Sequence, residues 1–289
     1  MTTGTATTGP ITAEASGTPG RLAAAGLVCG SAVPLFGLEE RVVGYPMLLA
    51  GLGLAWALGR GRSARADDDR LLRHLGLIAT SMFVISLIPL KADLSNAAIL
   101  RFAVVLGLAV LIPLLVSRHL WKEDIIRFPV RTGRRWSRFE WGYLLLVVAL
   151  GYLVLPVYFI SSGAYLNWPA ISTGDEIARL FVGVNAVGLW DELFFICTVF
   201  ALLRQHFSFH QANVLQAVVF VSFLYELGYQ SWGPLLTIPF ALLQGYIFNR
   251  TKSFLYVLVV HLSFDVIIFG VLVHAHNPQW LDVFVTAPA

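Results

Sequence analysis

The stretch that decides the fold of this chain is Trp190-Asp191-Glu192-Leu193-Phe194-Phe195. It places two adjacent carboxylates in the middle of an apolar run that extends from about Ile177 to Leu203. That run is long enough to cross a bilayer, because roughly 20 apolar residues span the hydrocarbon core. A carboxylate near the bilayer centre costs about 2.5–3.5 kcal/mol on translocon-insertion scales. We therefore expect the rest of the chain to shield this acid pair and to supply its partners.

The composition is that of an integral membrane protein. Of the 289 residues, 57% are hydrophobic and 13% are charged, and the mean hydropathy is +0.74. These values are far more apolar than those of a soluble domain. The net charge of +3 is concentrated in a few loops, so we expect no nucleic-acid partner. The two cysteines, Cys29 and Cys197, lie in apolar runs, which excludes a disulfide framework.

Nine apolar segments predict an all-α, polytopic membrane bundle of about eight or nine transmembrane helices. The segments are Leu22–Leu38, Val42–Leu58, Leu75–Leu90, Ala97–Val116, Phe139–Ile160, Ile177–Leu203, Ala212–Leu227, Trp232–Phe248 and Phe254–Val273. The first segment is short and rich in Gly and Ala, so eight spans is the alternative. The alternating pattern of a β-barrel is absent, which leaves helices as the spanning structure.

The basic residues predict the orientation of the bundle. Arginines and lysines cluster after the second, fourth, sixth and eighth segments, whereas the alternate connections hold only Arg41 and Lys91. The positive-inside rule then places the N-terminus in the cytoplasm and the C-terminus outside. The loop Arg118–Arg138 also contains Trp121, Phe128 and Trp136, so we expect it to lie on anionic membrane lipids. The alternative is that this loop only determines the topology.

Ionisable residues recur at membrane depth in the second half of the chain. Glu226 lies near the outer end of the seventh segment, and His261 and Asp265 share one face of the ninth, because they are four residues apart. By helical rise, Asp191 and Asp265 both lie at a depth of about 18 Å. Carboxylates and an imidazole at one level favour acid–base activation of a water molecule.

Each of these residues also has a structural interpretation. His261 is compatible with a packed core histidine, Asp265 with a residue that fixes the tautomer of His261, and Glu226 with a solvated acid at the outer interface. The pair formed by Asp191 and Glu192 is the hardest to explain by packing, because two adjacent acids in mid-membrane are costly.

The acid pair resembles a known motif. The stretch Asp191-Glu192-Leu193-Phe194-Phe195 is similar to the Glu-Glu-x-x-x-Arg motif of the CPBP family, intramembrane proteases related to CAAX prenyl endopeptidases and bacteriocin-processing enzymes. A Gly-containing helix, a basic Thr-x-Ser turn and a His-x-x-x-Asn/Asp helix follow in the order of that family. The matching stretches are Gln244-Gly245-Tyr246, Arg250-Thr251-Lys252-Ser253 and His261-Leu262-Ser263-Phe264-Asp265. The resemblance covers about Phe139 to Phe269.

The composition, the basic residues and the resemblance together predict the following division of the chain. Residues 1–20 are a disordered tail, 21–117 are N-terminal transmembrane helices and 118–138 are a basic cytoplasmic loop. Residues 139–273 are a catalytic transmembrane domain of the CPBP type, and 274–289 are a C-terminal tail. The resemblance further implies an integral multi-pass protein of a bacterial cell membrane.

The chain departs from the family pattern at four positions. Asp191 stands where the family has its first Glu, whereas Glu192 matches the second. Ile196 and Cys197 replace the Arg of the motif and the Gly that follows it. The family motif Phe-x-x-x-His has no clean match, and Glu226 is the ionisable residue that we take as the substitute for its His.

The resemblance implies hydrolysis of a peptide bond inside the membrane. By that carry-over Asp191 and Glu192 are general base and partner on a water, and Glu226 helps to position that water. Neutral His261 would donate one N–H to the oxyanion while Asp265 accepts its other proton. The implied partner is a membrane-associated peptide or protein substrate, with or without a lipid modification.

No cofactor follows with certainty. The same side chains suit a divalent metal such as Zn²⁺ or Mn²⁺, and the candidate ligands are Glu192, Glu226, His261 and Asp265. Loss of the motif His removes one good ligand and favours metal-independent chemistry. Two other hypotheses stay open, namely an inactive relative that binds membrane peptides or serves as a scaffold, and an ion- or proton-coupled transporter.

Overall fold

The computed structural model describes residues 18–61, 66–130 and 133–286. Within these ranges the chain is all-α, without a strand, and it forms nine long helices. They are α1 (Pro19–Gly37), α2 (Arg41–Arg60), α3 (Ala66–Ile85), α4 (Asn96–Leu120), α5 (Arg138–Ser161), α6 (Gly174–Leu203), α7 (Phe209–Leu227), α8 (Pro234–Thr251) and α9 (Phe254–His276). A short 3₁₀ turn, Ala164–Asn167, lies between α5 and α6.

Each predicted apolar segment coincides with one helix, which confirms the predicted all-α membrane bundle. Among the described residues, six helices are long and apolar enough to cross a membrane, namely α1, α2, α4, α5, α6 and α9. The other three are more polar. Three aspartates at positions 67–69 begin α3, whereas α7 buries amide side chains. Asn213 of α7 donates to the carbonyl of Leu242 at 2.9 Å, so this amide is bonded to α8.

The starts of three helices are encoded locally. Ser137, Thr173 and Ser208 accept a hydrogen bond from the amide of the third helical residue in α5, α6 and α7. In each case the Glu or Gln at that third position bonds back to the capping residue. These reciprocal bonds satisfy amides that the helix itself leaves free. They fix where α6 begins and hence the position of its acid pair.

The two ends of the bundle differ in charge. At one end of the bundle α2, α4, α6 and α8 finish and α3, α5, α7 and α9 begin. We call this end the basic end and the other end the opposite end. At the basic end, buried side chains connect different parts of the chain. Nδ1 of His74 on α3 lies 2.8 Å from Nε2 of His206, which follows α6. The Nε2 of His74 lies 2.7 Å from Oε2 of Glu123. At the opposite end the amide of Leu90 donates to Glu226 at 2.9 Å.

The boundaries of the bundle differ slightly from the predicted ones. Residues 1–17 of the predicted tail lie outside the described residues, and its last two residues belong to α1, which begins at Pro19. In the predicted loop 118–138, α4 continues to Leu120, and positions 131–132 lie outside the described residues. The last helix continues to His276, three residues beyond the predicted end. The chain then folds back, and the hydroxyl of Tyr152 on α5 donates to the carbonyl of Val283.

Candidate active site

A close approach of α6 to α9 forms the site. Gly188 of α6 permits it, because a Cβ added there would lie only 1.8 Å from Oδ2 of Asp265. Asp191 and Glu192 follow Gly188 by about one helical turn, and His261 precedes Asp265 by one turn on α9. The structure therefore brings Asp191, Glu192, His261 and Asp265 together.

Glu192 holds one side of the His261 ring. Its Oε1 lies 2.7 Å from Nδ1 of His261 and accepts a hydrogen bond from Nε2 of Gln244 on α8 at 2.6 Å. The same Gln244 nitrogen also donates to the carbonyl of Val257 at 3.3 Å. Glu192 is 0% exposed, so three helices fix the carboxylate in place. The contact orients the imidazole and occupies its Nδ1.

The other ring nitrogen of His261 faces two further carboxylates. Its Nε2 lies 3.7 Å from Oδ2 of Asp191 and 3.9 Å from Oδ1 of Asp265. These distances are too long for direct hydrogen bonds but within ion-pair range. The second oxygens, Oδ1 of Asp191 and Oδ2 of Asp265, are buried and have no hydrogen-bond partner among the described residues. Two carboxylates and one imidazole nitrogen thus converge on one point.

That point is the floor of a cavity of about 540 Å³. Its walls are mostly apolar and come from α4 and α6, with Trp168 and Tyr229 at the opposite end. Asp191, His261 and Asp265 line the floor, whereas Glu192 is behind His261 and does not line the cavity. A deep apolar cavity with a few convergent polar groups is the usual form of a ligand site.

The cavity extends to the opposite end of the bundle, and we call this part its mouth. Asp93 and Leu94, which precede α4, line it together with Arg179 of α6. Arg179 pairs with Asp175 at 2.6 Å, donates to the carbonyl of Leu94 at 3.4 Å and bonds to the side chain of Asn96. Arg179 therefore links the starts of α4 and α6 across the mouth.

The acid pair coincides with a change in helix geometry. From Glu192 to Phe200, α6 is a π-helix, and the hydroxyl of Thr198 bonds to the carbonyl of Leu193 at 2.8 Å. Such wide turns are rare and frequent at functional sites. Trp190, just before the pair, donates to the carbonyl of Leu106 on α4 at 2.7 Å. These contacts fix the rotation of α6 that turns Asp191 to the cavity and Glu192 to His261.

Glu226 lies apart from this cluster. Its Oε1 accepts the hydrogen bond from the amide of Leu90 at the opposite end, and Glu226 does not line the cavity. The α7 residues that do line it are Leu224 and Leu227, and Leu224 is four positions after Phe220. If Phe220 is the Phe of the Phe-x-x-x-His motif, Leu224 stands at its His. The predicted assisting role of Glu226 is therefore not supported by its position, because α7 points it outward to the connection before α4.

The structure also changes one role within the cluster. The mechanism predicted from the sequence made Asp265 the acceptor for one N–H of His261, while the other N–H of the ring donates to the oxyanion. In the structure Glu192 occupies Nδ1, and Asp265 is near Nε2 on the cavity side. The reason is that α6 packs against α9 so that Glu192 contacts Nδ1 of His261, on the edge of the ring that points away from Asp265.

A metal centre is not assembled from the predicted ligands. In the described ranges no three His, Cys, Asp or Glu side chains are arranged to hold a metal ion. Of the candidate set, Glu192 is bonded to His261 and Gln244, and Glu226 is bonded to Leu90. The arrangement does not fit a metal that uses all four predicted ligands, so no step is assigned to one.

Three residues of the site had no role in the sequence-based prediction. Gln244 was noted as part of a motif, but its bond to Glu192 depends on how α8 packs against α6. Gly188 and Leu224 look like ordinary residues of apolar helices. A buried amide in the apolar run of α8 was a signal for Gln244, whereas no sequence signal distinguishes Gly188 from the other glycines of the chain.

With this geometry in place, comparison with known families identifies the segment. Residues 173–267 match the family described as Type II CAAX prenyl endopeptidase Rce1-like. This segment belongs to that family. The match confirms the resemblance to the CPBP family that the sequence motifs indicated.

The Rce1-like segment, residues 173–267, is about one third of the chain. It begins at Thr173, the capping residue of α6, and ends within α9. It therefore includes Asp191, Glu192, His261 and Asp265, whereas α1 to α5 lie outside it. No curated protein and no solved structure matches the chain.

Proposed function

We propose that this protein is an intramembrane endopeptidase that hydrolyses a peptide bond of a membrane-associated peptide or protein. One observation supports this most directly. Within an Rce1-like segment, His261 is held by Glu192 from behind while its Nε2 faces Asp191 and Asp265 on the floor of an apolar cavity.

Asp191 is the proposed general base. It lines the cavity, and its Oδ1 has no partner among the described residues, so it can accept the proton of a water. Glu192 is unsuited to that role, because it does not line the cavity. Its Oε1 is bonded to His261 and Gln244, and its Oε2, which also has no partner among the described residues, is buried. Glu192 instead keeps Nδ1–H of His261 oriented, as the carboxylate of a triad does for its histidine.

The reaction then proceeds with a balanced transfer of one proton. The water oxygen attacks the carbonyl carbon as Asp191 takes one proton, and Nε2–H of His261 donates to the oxyanion. Because Nδ1–H is already donated to Glu192, this step requires the doubly protonated imidazole rather than the neutral one expected from the sequence. The C–N bond breaks, and the proton held by Asp191 passes to the leaving amine. Asp265, whose Oδ1 also lies near Nε2, accepts a hydrogen bond from the second O–H of the attacking water and orients it, and that hydrogen stays on the oxygen.

The cavity suggests the class of substrate. Its walls suit apolar side chains or a lipid chain, and the family description names prenylated substrates. We propose an apolar segment of a membrane-associated protein, with or without a lipid modification. It would enter at the mouth beside Arg179 or from the bilayer between α4 and α6.

The test is cleavage of a membrane-peptide library by purified protein in detergent. Wild type is compared with Asp191→Asn and Glu192→Gln, and Glu226→Gln is the matched control because it removes a buried acid that does not line the cavity. We expect products from wild type and from the control, and a loss of about 100-fold or more for Asp191→Asn, the scale of general-base catalysis. If wild type cuts no peptide, with or without added Zn²⁺ or Mn²⁺, the proposal is wrong.

A second candidate function is peptide binding without cleavage. Leu224 lines the cavity where the family motif would place a His, and Ile196 replaces the motif Arg. An inactive relative with the same cavity would still hold an apolar segment. Crosslinking of library peptides to residues of the cavity wall, in the absence of any product, would favour this candidate.

We also propose that the basic end faces the cytoplasm. The support is the positive-inside rule applied to the cations that end α2, α4, α6 and α8. The cavity mouth, at the opposite end, would then open on the outer side of the membrane.

A further inference from the structure

A second cavity, of about 200 Å³, lies at the basic end between the start of α5 and the end of α8. It shares no residue with the cavity of the candidate active site. Its lining is polar and aromatic, and consists of Arg134, Ser137, Phe139, Glu140, Tyr143, Ile247, Arg250, Thr251 and Tyr256.

Arg250 supplies a positive charge to this cavity. Its guanidinium carbon lies 4.5 Å from the centre of the Phe139 ring, and its Nη1 donates to the hydroxyl of Tyr246 at 3.4 Å. A guanidinium has five N–H donors. The contact with Phe139 therefore holds the guanidinium beside the ring while donors remain for a ligand.

Arg134 is held on the other wall. Both of its terminal nitrogens bond to the carboxylate of Glu140, which also accepts from the amide of Ser137 at 2.6 Å. Glu140 is buried, and its charge neutralises that of Arg134. With Arg250 added, the ionised groups of the cavity sum to one positive charge.

The surroundings of this cavity have the composition of a membrane–water interface. The rings of Trp136 and Trp141 lie 4.9 Å apart beside it, and Trp141 and Phe139 are 53% and 57% exposed. Tryptophan and tyrosine side chains concentrate at the membrane–water interface. From there α5 continues with exposed Leu145 and Leu146, a face that lipid chains would cover in a membrane.

We propose that this cavity binds the phosphate headgroup of an anionic phospholipid. The phosphate pairs with Arg250 and the outward N–H groups of Arg134, and the acyl chains lie along the exposed apolar face of α5. Arginine is well suited to phosphate because its fork of donors matches two oxygens at once. The adjoining apolar face favours a lipid over free phosphate, and the net positive charge favours an anionic lipid over a zwitterionic one.

The test measures lipid retained by the full chain in native mass spectrometry from detergent. Phosphatidylglycerol and phosphatidylcholine with the same acyl chains are titrated into wild type, Arg250→Gln and Arg60→Gln. Arg60 is the matched control, because its guanidinium also stacks on an aromatic ring, that of Trp56 at 4.3 Å, but lines no described cavity. Both variants remove one charge from the basic end.

We expect wild type and Arg60→Gln to retain one phosphatidylglycerol in preference to phosphatidylcholine. Arg250→Gln should bind phosphatidylglycerol about tenfold more weakly, the loss typical of one charge-assisted contact. Arg250→Lys keeps the charge but not the forked guanidinium, so its affinity for phosphatidylglycerol should lie between those of wild type and Arg250→Gln. A thermal-unfolding curve checks that each variant is folded.

Three results would overturn the proposal. Equal weakening by Arg60→Gln and Arg250→Gln would mean diffuse attraction rather than a site. Equal retention of the two lipids would mean that the headgroup charge is not recognised. Binding of inorganic phosphate to wild type but not to Arg250→Gln, without retention of phosphatidylglycerol, would make free phosphate the ligand.

Discussion

The Nδ1 atom of His261 lies 2.7 Å from Oε1 of Glu192, the acid that does not reach the cavity. Asp191, its neighbour in sequence, lies 3.7 Å from the other ring nitrogen. Two adjacent carboxylates therefore contact opposite sides of one imidazole. Their different positions lead to different expectations for their substitution.

Glu192→Gln should lower kcat and leave KM nearly unchanged. The side chain is buried behind His261 and makes no contact with the cavity, so its loss affects the orientation of the ring rather than substrate binding. Steady-state kinetics on a cleaved library peptide measure both constants. Leu224→Phe is the contrasting variant, because it fills space in the cavity and should mainly raise KM. An equal rise of KM in both variants would contradict these assignments.

Gly188→Ala should inactivate the protein and destabilise it. The added Cβ would lie 1.8 Å from Oδ2 of Asp265, so α6 and α9 must separate or Asp265 must move, at a cost of about 1–3 kcal/mol for such overpacking. Gly174→Ala on the same helix is the control, since an added Cβ there meets nothing within 4 Å and Gly174 does not line the cavity. Thermal unfolding and peptide cleavage measure the two effects. Normal behaviour of both variants would show that the approach of α6 to Asp265 is looser than described.

Acid should weaken the basic end through Glu123. Burial alone would raise the pKa of this carboxyl, but the hydrogen bond from His74 and the charges of Arg70 and Arg73 outweigh it and hold the pKa below its usual value. A lowered folded-state pKa stabilises the fold above the unfolded-state pKa of about 4.3, and this contribution is lost as the pH falls through the folded-state value. The unfolding temperature in detergent should therefore decrease when the pH is lowered below about 5.

Glu123→Gln should remove part of this acid sensitivity while lowering the stability at pH 7. Asp124→Asn is the control, because Asp124 is its neighbour but is 55% exposed and pairs with Arg127 at the surface. Unfolding curves between pH 3.5 and pH 7 compare the three proteins. The same pH dependence in wild type and Glu123→Gln would show that other acids determine it.

Cysteine labelling should report the orientation of the bundle. Both native cysteines, Cys29 and Cys197, are buried, so they give little background with a membrane-impermeant maleimide. In right-side-out vesicles, Asp93→Cys at the cavity mouth should react from outside. Asn249→Cys at the basic end should react only after permeabilisation. The reverse pattern would place the basic end outside and contradict the proposed topology.

Much of the fold could be predicted because apolar length is a strong signal in a membrane protein. All nine segments are helices, and the spacing of His261 and Asp265 correctly placed them one turn apart on one helix. The side that each acid presents could not be predicted, because it depends on the rotation of α6. That rotation follows from the π-helical stretch after Asp191 and from the contact at Gly188, which are properties of the packed bundle.

Glu226 is a second residue whose contacts could not be predicted from the sequence. Its place near the outer end of α7 was apparent from the sequence, but its partner is the backbone amide of Leu90, 136 residues away. The connection before α4, which contains Leu90, packs against α7, and the residues next to Glu226 in the sequence do not predict this contact. The position of Leu224 on the cavity wall likewise depends on how α7 is turned.

The buried half of α6 beyond the acid pair has a consequence for access to the acids. Phe194, Phe195, Ile196 and Cys197 are all 0% exposed, so this stretch of α6 is packed inside the bundle between the floor of the cavity and the basic end. None of the residues that line the cavity lies beyond this stretch towards the basic end. A layer of packed side chains therefore separates the acids from the basic end, and a molecule that reaches the acids would have to approach them from the side of the cavity.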